Sequence, residues 1–106
     1  MAKYLVTAAY TPEGTKGVLK TGGTARSKAV GEAIKAMGGS MESFHFAFGA
    51  DDVFVVVDLP DNVAAAALAM GISATSLVGI RVVVLLTPSE IDEAAKRQVS
   101  YTPPGG

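Results

Sequence analysis

Apolar residues recur along this chain with two different periods. Tyr4 to Tyr10 is a run of β-branched, aromatic and small residues that stops at Thr11-Pro12, the pattern of a strand. Thr11 can cap a helix whose first position is Pro12, with Glu13 near its positive end. That piece, running to about Lys20, is weakened by Gly14 and Gly17 and broken at Gly22-Gly23. Thr24 is the expected cap of a second piece, where Ala29, Val30, Ala33, Ile34 and Met37 form a stripe at helical spacing. Arg26, Lys28, Glu32 and Lys35 are expected mainly on the opposite side, and Gly38-Gly39 supplies a left-handed end. Two strands follow, about Ser40–Phe48 and Asp52–Leu59, joined so closely at Gly49-Ala50-Asp51 that they must form a hairpin. Asp61 caps the next helix, whose body Val63–Met70 is apolar nearly all round and is therefore expected to be buried. A fourth strand, about Leu77–Thr87, precedes a short charged helix from Pro88 to about Gln98 and a Pro/Gly-rich tail.

The order β-α-β-β-α-β predicts an α+β, ferredoxin-like antiparallel sheet with its helices on one face, formed by residues 1–98, with 99–106 as the tail. A sheet with one solvated face should alternate apolar and polar residues. Here Val53, Val55 and Val57 oppose Phe54 and Val56, while Ile80, Val82, Val84 and Leu86 oppose Val83 and Leu85. The uncovered face is thus expected to be apolar, and a second copy of the chain is its simplest cover.

Composition sharpens this. Hydrophobic residues make up 49% of the 106 and charged ones 18%, against about 25% charged in an average domain. The net charge of −1 gives no electrostatic case for nucleic acid or an anionic membrane. Cysteine is absent, which removes disulfides, thiolate catalysis and Cys-based zinc sites. No apolar run reaches membrane-spanning length and the first residues do not resemble a secretory signal, so a cytoplasmic protein is expected.

Chemistry has few places to sit. His45 is the only histidine and the natural acid–base candidate, or else a strand residue hydrogen-bonded at an interface. Asp51 and Asp52 adjoin the hairpin turn. Either is an orienting carboxylate for His45 or an ordinary turn former, and which shares the face of His45 depends on a one-residue register. Arg81 is the one basic group on the fourth strand and a candidate contact for an anionic ligand. Gly22-Gly23-Thr24 with Arg26 and Lys28 lacks phosphate-loop spacing, and Phe44, Phe46 and Phe48 on one strand face read as core, not as a stacking platform. No cofactor and no metal site is expected.

The segment Phe44–Val53 with Pro60-Asp61 resembles the GYD-domain family. So do Tyr10-Thr11-Pro12-Glu13-Gly14, Gly38-Gly39, and Val55–Asp61 with the Ala-rich helix after it. The family motif carries Tyr where this chain has Asp51, and often Tyr at His45; the polar residues of its last strand are reduced here to Arg81. The resemblance implies a dimeric α+β barrel type of fold and self-association, in a family without an assigned activity. The expected protein is a homo-oligomer, a dimer or larger, that is structural or takes a small apolar ligand. The alternative is a cofactor-independent isomerase or monooxygenase-type enzyme using His45 in an apolar cleft.

Overall fold

Eight elements follow one another in the computed structural model, which describes all 106 residues. They are β1 (Ala2–Tyr10), α1 (Pro12–Thr21), α2 (Gly23–Ala36), β2 (Ser40–Phe46), β3 (Val53–Leu59), α3 (Asn62–Ser73), β4 (Val78–Leu85) and α4 (Pro88–Lys96). The strands form one open, wholly antiparallel sheet in the order β2-β3-β1-β4, the ferredoxin-like arrangement. Strand pairing in the hairpin ends at Phe46 and Val53, leaving Phe48 outside the sheet and fully exposed.

Local chemistry sets the helix ends. Thr11 Oγ1 accepts from Gly14 N at 3.2 Å, and Asp61 accepts from Ala64 N at 2.9 Å, as their positions predict. Thr24 does not cap α2. The chain turns at Gly22, whose φ of +87° places the boundary earlier and leaves Thr24 inside the helix. At the other end Gly38, at φ +83°, closes a Schellman motif. Gly38 N donates to Lys35 O and Gly39 N to Ile34 O, both at 3.0 Å.

The core lies between the sheet and α1–α3. Tyr4, Val6 and Ala8 of β1 and Val53, Val55, Val57 and Leu59 of β3 meet Ile34, Ala65 and Leu68. Tyr4 is buried, and its hydroxyl donates to Asn62 Oδ1 at 2.6 Å, which ties the central strand to the start of α3. Contrary to the expectation of burial all round, only Ala65 and Leu68 of α3 are buried, and Val63 and Met70 are exposed. An outer helix turns one stripe to the sheet whatever its composition. Nothing in its own chain covers the far side.

The open face is banded. Register places Val56, Leu5 and Val83 in one row across β3, β1 and β4. On one side of this row lie Asp58, Lys3 and Leu85, with Lys3 Nζ 3.2 Å from Asp58 and 3.3 Å from Glu42. On the other side His45, Phe54, Thr7 and Arg81 form a row across all four strands. The face is therefore an apolar band between two partly polar ones, not uniformly apolar.

Candidate functional site

The hairpin connection decides how the acidic pair is used. Asp52 N donates to Ala8 O at 2.7 Å, extending the β1–β3 ladder by one residue. The Asp52 carboxylate then accepts from Tyr10 N at 2.8 Å, acting where the next backbone carbonyl would have stood. Asp52 is thus a strand-end cap. Asp51 instead forms an ion pair with Arg81, its own side chain well covered while that of Arg81 stays exposed. Arg81 occupies an open-face position, so Asp51 is the acidic residue that reaches the face of His45. His45 sits on the edge strand β2, three strand spacings from β4, or roughly 14 Å between backbones. No hydrogen bond joins it to Asp51, Asp52 or Arg81 within the chain, and it lines neither of the helix-side cavities nor the depression between α2 and β2 described below. The four residues sequence pointed to thus resolve into one ion pair, one cap and one separate histidine.

A different part of the molecule encloses space. On the helix side, α1, the first turn of α2 and the end of α3 meet the ends of β1 and β4 around a cleft of about 400 Å³. Its apolar walls are Tyr10, Val18, Ile72, Leu77 and Val78. A much smaller cavity of about 30 Å³ lies towards the core, and Tyr10, Arg26, Ile72 and Val78 border both.

The cleft owes its shape to a close approach. Thr11 donates to the Leu77 carbonyl twice, from N at 3.0 Å and from Oγ1 at 3.1 Å, which holds the start of α1 against the entry to β4. A Cβ on Gly14 would stand 2.2 Å from that carbonyl oxygen, so glycine is what lets the helix lie there.

Most polar groups around the cleft are already engaged. Thr21 donates to Gly17 O at 3.0 Å and Thr75 to Ile72 O at 2.7 Å, while Glu13 pairs with Lys16 at 3.3 Å. Arg26 differs. Its Nε is buried without a hydrogen-bond partner, and none of the chain's five ion pairs includes it. Against the expectation of a polar-side position, Arg26 turns inward and lines the inner cavity together with Val30. The signal was present in the spacing. Arg26, Val30 and Ile34 are four apart, which makes Arg26 the first residue of the inward stripe.

A shallower depression lies between α2 and β2, beside Lys28, Phe44 and Phe46. The two rings there meet edge to face with centroids 5.2 Å apart. They pack on each other, but the expected core stripe is only partly formed, since Phe44 alone packs against the core while Phe46 and Phe48 are exposed. No group of His, Asp and Glu residues is arranged to hold a metal ion, and no helix is long and apolar enough to cross a membrane.

Compared with known families, the GYD domain matches residues 4–95, from the first strand into α4. No curated protein and no solved structure gives a match.

Proposed function

The chain belongs to the GYD domain family, and from that premise we propose that it is a homo-oligomeric, small-molecule-binding protein whose open sheet face is covered by a second copy. The observation that carries this is the band of Leu5, Val56 and Val83, with Phe54 and Leu85 beside it, on a face that no helix of the chain covers. Phe54 remains 39% and Val83 48% exposed. Contiguous apolar surface of this kind is what a protein partner removes from water. The polar rows on either side give such an interface a rim, with Lys3, Asp58 and Arg81 able to set its register. The ligand space is the helix-side cleft, whose volume falls in the range of small-molecule sites. Nucleic acid and membranes are not among the partners proposed, and the cytoplasm is the proposed location.

A second reading rests on the row His45, Phe54, Thr7 and Arg81. Pairing of two sheets would enclose that row between subunits, bringing His45 and the Asp51–Arg81 pair into a dry cleft where acid–base chemistry without a cofactor becomes feasible. Native mass spectrometry of freshly purified protein tests both parts of the first reading, because it reports subunit number and any retained small molecule together. A monomer without a bound molecule would overturn it. For the second reading, His45→Ala should abolish turnover or ligand retention while leaving the oligomer intact; loss of assembly would assign His45 to the interface instead.

A further inference from the structure

Arg26 enters the helix-side cleft as a cation among apolar neighbours. With Tyr10, Ile72 and Val78 it lines both cavities, at their common border. Such a position is normal for arginine, whose stem covers apolar surface and carries its head to water. The head here does not fully escape, because Nε is buried and lacks an acceptor. The only carboxylate around the cleft, Glu13, is held by Lys16 at 3.3 Å. The neighbouring threonine hydroxyls donate to backbone carbonyls three or four residues earlier in the chain. The cleft therefore presents one cation with unmet hydrogen-bonding capacity beside an apolar wall.

We propose that this cleft binds a small amphiphilic carboxylate, with the carboxylate paired to the Arg26 guanidinium and the apolar body against Tyr10, Val18, Ile72 and Leu77. A planar guanidinium matches a carboxylate through two parallel N–H···O bonds, a geometry that lysine cannot reproduce. The surrounding apolar side chains strengthen such a pair by excluding water and reject ligands made only of charge. A phosphate is a poorer fit, because a dianion would meet a single cation with Glu13 nearby. The inference deepens the small-molecule reading above and rests on it.

The test uses octanoate and its neutral isostere octanamide on the full-length, isotope-labelled protein, followed by amide chemical shifts. Octanoate is expected to shift Gly14, Val18, Ile72 and Thr75 saturably and to bind at least about tenfold more tightly than octanamide, as expected for a charge-assisted hydrogen-bonded pair. Arg26→Gln should remove that preference, leaving the two probes with similar weak affinities, and Arg26→Lys should restore only part of it. If Arg26→Gln does not fold, the probe comparison on the wild-type chain and the Arg26→Lys variant still decide. Equal affinity for both probes, shifts confined to the open sheet face, or no octanoate binding at millimolar concentration would each overturn the proposal. A neutral or cationic molecule retained in native mass spectrometry would overturn it too, while leaving the broader small-molecule reading in place.

Discussion

Gly14 shows how much one missing side chain can position. Its absent Cβ allows α1 to rest on the Leu77 carbonyl, and that contact forms one wall of the cleft. Gly14→Ala should destabilise the protein by about 1–3 kcal/mol, since the atom displaced is backbone and cannot rotate away. Urea denaturation measures this, and an unchanged midpoint would show that α1 can shift freely. Lys3 makes a second residue-scale case. The Asp58 and Glu42 carboxylates hold its pKa above the ordinary value of 10.5, with the Asp58 hydrogen bond the larger cause. A raised folded-state pKa contributes stability that is complete below the unfolded value and fades as pH rises through the folded one. The pair should therefore act unchanged across neutral pH and weaken only in the alkaline range above the ordinary lysine value. Comparing Lys3→Met with the wild type by urea denaturation, near neutrality and again at strongly alkaline pH, checks the sign. The stability gap should narrow at alkaline pH.

At the scale of elements, α4 stands apart. Thr87 Oγ1 accepts from Glu90 N at 3.1 Å while Glu90 Oε1 accepts from Thr87 N at 2.9 Å, a complete capping box. Yet no residue from Leu86 to Gly106 is even half-buried. Helices this short are marginal on their own, so the box carries an unusual share of the stability. Thr87→Ala should cost α4 about 1 kcal/mol and reduce its helicity while leaving the sheet intact. Carbon secondary shifts across Pro88–Lys96 would register the loss. The helices of the body behave differently because packing supports them. Gly14 and Gly17 weaken α1 by propensity, yet it forms from Pro12 to Thr21.

The whole molecule is longer than its residue count requires. Its radius of gyration is 16.9 Å, against about 13 Å for a compact domain of this size, and its longest dimension is 56 Å. The excess belongs to α4 and the tail, an arm carrying Ile91, Val99 and Tyr101 exposed. If the arm docks on a second copy, removing residues 100–106 should leave the body's circular dichroism unchanged and lower the thermal midpoint of the oligomer. Unchanged assembly and melting would show the tail to be dispensable. Val83 tests the sheet face itself. If the proposed pairing of open faces holds, Val83→Glu should dissociate that oligomer at a cost of several kcal/mol, because assembly would bury an unpaired charge, whereas an isolated chain would tolerate it in water. Light scattering on the folded variant separates these outcomes, and an undisturbed oligomer would place the interface elsewhere.

The sequence alone determined the order of the elements, because strand and helix periods, the Thr11 and Asp61 caps and the Gly38 turn act over a few residues and are written side by side in the chain. It also determined that the sheet carries apolar residues on both faces, since alternation along Val53–Leu59 follows from the pleat. Register across the sheet lay beyond it. The choice between Asp51 and Asp52 turns on one residue of slip, and only the pairing of Asp52 with the end of β1 leaves Asp51 to reach Arg81. The cleft was hidden for a related reason. Tyr10, Gly14 and Arg26 lie about fifty residues before Ile72 and Leu77, so no local pattern announces that the two stretches converge. The charge of Arg26 argued for the polar side of α2, and only the packing of α1, α2 and α3 on the sheet decided that it would meet an apolar cleft without a partner for that charge.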